Sequence, residues 1–132
     1  MTYRLLCYVI ATVQLVLGGL YLFAPGQMAL WQGLSPLPAD AGYPLAMLAA
    51  RFLVYGVGMI AIARAPEKNR GWARGMIAIQ LIDLGAGLAY TAAGIVPLAA
   101  SAFPMLNATL FAALLWLFEP GRAGRNPDAQ AA

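Results

Sequence analysis

Residues 43–63 read YPLAMLAARFLVYGVGMIAIA, and Arg51 is the one charged side chain among them. An apolar helix of about 20 residues crosses the roughly 30 Å hydrocarbon core of a bilayer. The run is followed by Arg64 and then by Ala65-Pro66, and a proline interrupts a helix because it lacks the backbone N–H. The sequence therefore predicts a transmembrane helix that carries a charge within it.

Three more apolar runs flank this one, before and after it in the chain. Proline and glycine close them at Pro25-Gly26, at Gly94 with Pro97, and at Pro120-Gly121. We therefore expect an all-α, integral-membrane, antiparallel four-helix bundle as a single domain of residues 1–120. Its spans are predicted at about residues 5–24, 43–64, 72–94 and 98–118.

Composition supports a membrane protein and argues against metal-centred chemistry. Hydrophobic residues make up 62% of the chain and charged residues 10%, whereas a soluble domain carries roughly 25% charged residues. The first run is longer than the apolar part of a signal peptide and is followed by further spans, so we expect it to be retained. Histidine is absent and Cys7 is the single cysteine, which excludes an intrachain disulfide and a Cys/His zinc site. We expect no metal.

The basic residues predict the orientation. Short cytoplasmic loops carry an excess of lysine and arginine. Seven of the eight basic residues fall on one predicted side: Arg4, Arg64, Lys68, Arg70, Arg74, Arg122 and Arg125. Both termini are therefore expected in the cytoplasm. The pI of about 9.4 also fits nucleic acid, but contact with anionic lipid headgroups explains the charge, and we expect no nucleic-acid partner.

Two segments outside the spans have predictions of their own. In the first external connection, residues 27–32 are expected to form a short helix at the membrane interface, with Trp31 at headgroup depth. Residues 121–132 are polar and lack an apolar period, so a disordered cytoplasmic tail is expected there. Cys7 is expected to be an inert, buried filler of the helix packing.

Two charged residues inside the spans require partners, because a lone charge at membrane depth costs several kcal/mol. At about 1.5 Å per residue, Arg51 lies roughly 20 Å and Asp83 roughly 14 Å from the cytoplasmic level. A long arginine side chain covers the difference of about 6 Å. We therefore predict an ion pair between Arg51 and Asp83, with a bidentate contact between guanidinium and carboxylate.

Other polar residues lie at similar predicted depths, Gln14 at roughly 15 Å and Asn107 at roughly 18 Å. Helical spacing groups the remaining ones on two faces that are expected to point inward, with two tyrosine hydroxyls bonded to the charged pair. The first face, on the second span, comprises Met47, Arg51, Tyr55 and Gly58. The second face, on the third span, comprises Met76, Gln80, Asp83, Gly87 and Tyr90.

This polar layer of Gln14, Arg51, Tyr55, Gln80, Asp83, Tyr90 and Asn107 has two interpretations. It either sets helix register only, because interhelical polar contacts in membranes are common, or it lines a site for a small ligand. A quinone would suit the second, since its carbonyls accept hydrogen bonds from Arg51, Gln80 or Asn107. A proton relay through Asp83 is a variant of it. The glycines Gly18, Gly19, Gly56, Gly58, Gly71, Gly75, Gly85 and Gly87 are expected to allow close helix packing.

The chain resembles the DoxX-like superfamily of small bacterial membrane proteins. The resemblance is carried by Gly18-Gly19 before Phe23-Ala24-Pro25, Trp31 and Gly33 in the first loop, Arg51-Phe52 with Gly56 and Gly58, and Asp83. It implies a four-helix antiparallel bundle in the bacterial inner membrane, and some relatives are membrane subunits of quinone-reducing thiosulfate oxidation systems. A dithiol mechanism does not fit a chain with one cysteine.

Three functions remain open at this stage. The first is a non-catalytic membrane protein, either an accessory subunit of a respiratory or photosynthetic electron-transfer complex or a binder of a small hydrophobic molecule such as a quinone or lipid. The second is a quinone-linked oxidoreductase subunit with Arg51 and Asp83 at the quinone site. The third is a proton-coupled transporter that uses Asp83, which a salt bridge at Asp83 would disfavour. Partners are expected among membrane lipids, other membrane subunits or further copies of the chain.

Overall fold

The computed structural model describes residues 3–120, and these residues contain helices without any strand. The elements are α1 (Tyr3–Phe23), α2 (Pro25–Trp31), a 3-10 helix (Ala39–Ala41), α3 (Gly42–Arg64), α4 (Arg70–Ala92) and α5 (Leu98–Leu117). The predicted all-α fold class is confirmed. The predicted tail at residues 121–132 lies outside the described residues.

The helices α1, α3, α4 and α5 are each long and apolar enough to cross a membrane, with lengths of 20 to 23 residues and mean hydropathies of 1.3 to 2.0. The chain is therefore a multi-pass membrane protein. Their ends fall within two residues of the predicted ends. Helix α4 ends at residue 92 rather than at the predicted residue 94, because Gly94 adopts a φ of 70°. The N–H groups of Gly94 and Ile95 then donate to the carbonyls of Thr91 and Tyr90, a glycine-dependent helix stop.

The four spans form two closely packed antiparallel pairs, α1 with α3 and α4 with α5. In the first pair, Gly18 faces Leu53 and Gly56 faces Leu15. In the second pair, Gly87 faces Met105 and Thr91 donates a 2.7 Å hydrogen bond to Ser101. The two pairs contact each other less extensively, where α3 faces α4 and where α1 faces α5. The line along which α3 faces α4 is named here the α3–α4 seam.

Large apolar side chains are buried in one half of the bundle. This packed half comprises residues 6–14, 55–63, 73–80 and 108–115, and its core includes the largest fully buried side chains, Cys7, Ile10, Met59, Ile62, Met76 and Leu115. The other, open half comprises residues 15–23, 42–51, 83–92 and 98–107, and the buried residues there are small, namely Gly18, Ala49, Ala100 and Ser101. The two helix pairs are therefore joined firmly at one end and loosely at the other.

The glycine prediction is confirmed for half of its positions. A Cβ atom built on Gly18, Gly56, Gly58 or Gly87 would lie within 3 Å of a side chain on another helix, so these glycines permit close approach. At the other four positions no such contact exists among the described residues, because a Cβ atom there would meet nothing within 4 Å. These positions are Gly19, Gly71, Gly75 and Gly85.

The short helix predicted in the first connection is present as α2, two residues earlier than expected at its start. Pro25 occupies its first turn, where a missing N–H costs no hydrogen bond. Met28 and Ala29 are buried, whereas Trp31 is 70% exposed. Directly after the helix, the Gln32 side chain donates a 2.6 Å hydrogen bond to the Tyr21 hydroxyl, which ties this connection to α1.

Candidate polar site in the α3–α4 seam

The predicted ion pair between Arg51 and Asp83 is confirmed. The Arg51 Nη2 atom of α3 lies 2.6 Å from the Asp83 Oδ2 atom of α4. Both residues lie within spans, at the boundary between the packed half and the open half. The pair therefore crosses the α3–α4 seam at membrane depth and links the two helix pairs.

The geometry of the pair differs from the predicted bidentate contact. One hydrogen bond joins the two side chains, and the Arg51 Nε atom is buried with no hydrogen-bond partner among the described residues. The side chains are 38% and 35% exposed, respectively. Asp83 Oδ1 and two of the three Arg51 nitrogens are thus not engaged within residues 3–120.

Two aromatic rings adjoin Arg51 on the side of α1. The Phe52 ring centroid lies 5.6 Å from the Arg51 guanidinium carbon, which is cation–π distance. The Tyr21 ring stacks on Phe52 with centroids 5.5 Å apart and planes 18° apart. Through Tyr21 and Gln32 this contact chain reaches the end of α2. Neither Tyr21 nor Phe52 was among the predicted residues of the polar layer, although both aromatics lie within predicted spans.

Tyr55 is buried as predicted, but its hydroxyl does not bond to the ion pair. It donates to the backbone carbonyl of Met76, across the α3–α4 seam. The phenol still lies within electrostatic range of Gln80, Asp83 and Arg51. Tyr55 and Gln80 are therefore part of a buried polar group directly below the ion pair, inside the packed half.

Gln14 and Asn107 lie at different levels. Because Leu15 faces Gly56, antiparallel register sets Gln14 opposite residue 57, six residues or about 9 Å from Arg51 along the helix axis. Gln14 is buried, with 2% of its surface exposed, and its Oε1 atom has no hydrogen-bond partner among the described residues. Asn107 lies opposite residue 85, close to the level of Asp83, and is half-buried. Asn107 thus lies at the level of the ion pair, whereas Gln14 lies at a separate level inside the packed half.

The prediction that Met47 and Tyr90 point into a closed interior is wrong. Met47 is 60% exposed and Tyr90 is 55% exposed. Met47 precedes Arg51 by one helical turn, and Tyr90 follows Asp83 by two, so both lie on the helix faces that carry the pair. They stay uncovered because α3 and α4 separate in the open half. Pro44 and Ala86 on the same faces are also exposed.

These faces define a cleft, named here the open seam, with Pro44 and Met47 on α3, Ala86 and Tyr90 on α4, and the ion pair at its base. Its walls are apolar and its base offers guanidinium donors and a carboxylate acceptor, which is a combination suited to an amphiphilic molecule. Among the described residues there is no group of three His, Cys, Asp or Glu side chains that could hold a metal ion. Comparison with protein-family models, curated proteins and solved structures finds no match.

Proposed function

We propose that this protein binds a small hydrophobic molecule with an oxygen-bearing head group, a quinone being the leading candidate, at the Arg51–Asp83 pair. The observation that supports the proposal is a singly bonded ion pair at membrane depth whose side chains are more than one third exposed. We also propose that the protein lies in a bacterial inner membrane, as the DoxX-like resemblance implies. Both termini are placed in the cytoplasm in this proposal, because seven of its eight basic residues fall on one side of the predicted topology.

The exposed part of the ion pair needs a polar partner. Hydrocarbon chains cannot hydrogen-bond, so exposed donors and acceptors at this depth are unfavourable unless water, protein or a polar ligand reaches them. A carbonyl oxygen would accept a hydrogen bond from the guanidinium of Arg51, whose side chain is 38% exposed, and a hydroxyl would also donate to Asp83 Oδ1. The remainder of such a molecule would contact apolar side chains. A ligand with a polar head and an apolar remainder therefore matches both the ion pair and the apolar side chains beside it.

A second candidate function is that of an accessory subunit in a larger membrane complex, as the DoxX-like resemblance implies. It is favoured by α4, the least buried of the four spans. Gly71, Gly75 and Gly85 on this helix meet nothing within 4 Å and leave its backbone accessible to a helix of another protein. Copurification from native membranes after gentle solubilisation tests this role, since an accessory subunit should retain its partners.

The other two functions predicted from the sequence have weaker support. A quinone-linked oxidoreductase subunit would use the same site, with the redox centre supplied by another protein. A proton-coupled transporter needs a carboxylate that exchanges protons freely, and the salt bridge to Arg51 disfavours this for Asp83.

Binding is tested on protein reconstituted in detergent micelles, by isothermal titration calorimetry with a short-chain ubiquinone. The double variant Arg51→Gln/Asp83→Asn removes both charges and should lower affinity by about tenfold or more, equal to about 1.4 kcal/mol. The matched control is Arg74→Gln/Glu119→Gln, which removes the ion pair between α4 and the residue that follows α5 by two positions, where Nε and Oε1 are 3.3 Å apart. Equal affinity in both double variants would refute a ligand site at Arg51 and Asp83.

A further inference from the structure

We infer that the ligand reaches the ion pair laterally from the membrane through the open seam, and that its apolar chain remains there between Met47 and Tyr90. This inference rests on the proposed function and adds the route and the ligand class. The class is a molecule with one carbonyl-bearing head and a single apolar chain. Neither the route nor the chain-binding role of Met47 and Tyr90 is needed for binding at the pair itself.

The first step is that the α3–α4 seam is closed on the packed side of the ion pair. Tyr55 on α3 bonds to the Met76 carbonyl on α4. A Cβ atom on Gly58 would lie 2.8 Å from Met76 Cε and 3.4 Å from Trp72 Cε3, so the two helices are in contact there. A molecule cannot approach the pair from this direction without separating them.

The second step is that the seam is uncovered on the other side of the pair. Met47 and Tyr90, on the faces that carry Arg51 and Asp83, are each more than half exposed. Pro44 and Ala86 on the same faces are exposed as well. Since both walls of the cleft face outward at membrane depth, the cleft communicates with the lipid rather than with a closed interior.

The third step is chemical complementarity along the cleft. A flexible methionine and an aromatic ring adapt to the shape of an apolar chain and contact it favourably. The base of the cleft presents the partly exposed guanidinium of Arg51, which can donate to a carbonyl oxygen. A ligand whose head occupies the base and whose chain lies between Met47 and Tyr90 therefore contacts matching chemistry along its length. An isoprenoid quinone and a fatty acid share this chemistry, and the test separates them.

The route is tested by narrowing the open seam. Ala86→Phe adds a large side chain at its mouth, and Ala92→Phe adds the same side chain to another exposed alanine of α4, about 120° away round the helix. Stopped-flow mixing with a short-chain ubiquinone, and separately with oleic acid, gives association rates. We expect Ala86→Phe to slow association of the preferred probe by about tenfold and Ala92→Phe to leave it unchanged. Equal rates in both variants would overturn the lateral route.

A second experiment closes the seam reversibly. In a Cys7→Ala background, Ala50→Cys and Ala86→Cys are joined by a short, reducible bifunctional thiol reagent. Both alanines are exposed, and the register of Arg51 with Asp83 sets residue 50 opposite residue 84, close to Ala86. Binding of the probe should be lost after cross-linking and restored by reduction. Full binding to the cross-linked protein would exclude the lateral route but keep the proposed function. Failure of the uncross-linked protein to bind either probe would exclude the proposed function, and this inference with it.

Discussion

Gly56 of α3 lies so close to Leu15 of α1 that a Cβ atom at position 56 would stand 2.6 Å from the Leu15 Cγ atom. The Ala11 carbonyl oxygen would be 3.1 Å away, and a backbone atom of a packed helix cannot rotate aside. The absence of a side chain at Gly56 therefore sets the distance between α1 and α3. That pairing in turn holds the helix that carries Arg51.

Replacing Gly56 by alanine should lower the free energy of unfolding by about 1–3 kcal/mol, because the added methyl group overfills a closed contact. The midpoint of thermal unfolding in detergent can be followed with a thiol-reactive dye, since Cys7 is the one cysteine and is fully buried in the folded protein. Gly75→Ala is the control, because that position is open and alanine favours a helix by about 1 kcal/mol. An equal effect of both substitutions would contradict the packing argument.

Removing one partner of the ion pair should destabilise the protein more than removing both. Asp83→Asn leaves the Arg51 charge without its counterion at membrane depth, at a cost of about 2–3 kcal/mol. Arg51→Gln/Asp83→Asn leaves two neutral groups, so part of this loss should be recovered. Thermal unfolding of the two single variants and the double variant gives the coupling free energy. Additive losses would mean that the two charges do not interact.

Tyr55→Phe removes the hydroxyl that bonds to the Met76 carbonyl across the α3–α4 seam. We expect a loss of about 0.5–1.5 kcal/mol in the free energy of unfolding, typical of one hydrogen bond. Tyr43→Phe is the matched control because Tyr43 is 75% exposed. Unfolding midpoints measured side by side should differ between the two variants, and identical midpoints would argue that the hydroxyl of Tyr55 contributes nothing.

Tyr21→Phe should loosen the first connection while leaving the ring stack on Phe52 intact. The substitution removes the acceptor of the Gln32 side chain but keeps the aromatic ring. Amide hydrogen exchange followed by mass spectrometry should show faster exchange across residues 25–34 and little change in α3. Exchange that accelerates equally in α3 would show that the hydroxyl supports the bundle rather than the connection.

The span positions and the ion pair were predictable from the sequence because both depend on distance along a helix. Counting residues from Arg64 and from Arg74 was enough to set Arg51 and Asp83 at compatible depths. Gly56 and Gly58 were expected at contacts for a different reason, because small residues allow helices in a membrane to approach closely.

The exposure of Met47 and Tyr90 was not predictable in this way. Helical periodicity identifies the face on which a residue lies, but it does not give the distance to the next helix. That distance depends on which side chains fill the space, and the open half is lined by small residues such as Gly18, Ala49 and Ala100. The single-bonded geometry of Arg51 and Asp83 also escaped the prediction, because the depth of two residues along their helices does not give the orientation of the guanidinium.

The unequal packing of the two halves also has a mechanical consequence. The contact of Gly58 with Met76 can act as a fulcrum, and the helices extend beyond it for about 24 Å, to the end of α4 and to the beginning of α3. A relative tilt of roughly 10° about this point moves the far ends by about 4 Å, close to the width of a methylene chain, while the atoms at the fulcrum hardly shift. The salt bridge between Arg51 and Asp83 then limits how far α3 and α4 can separate in the open half.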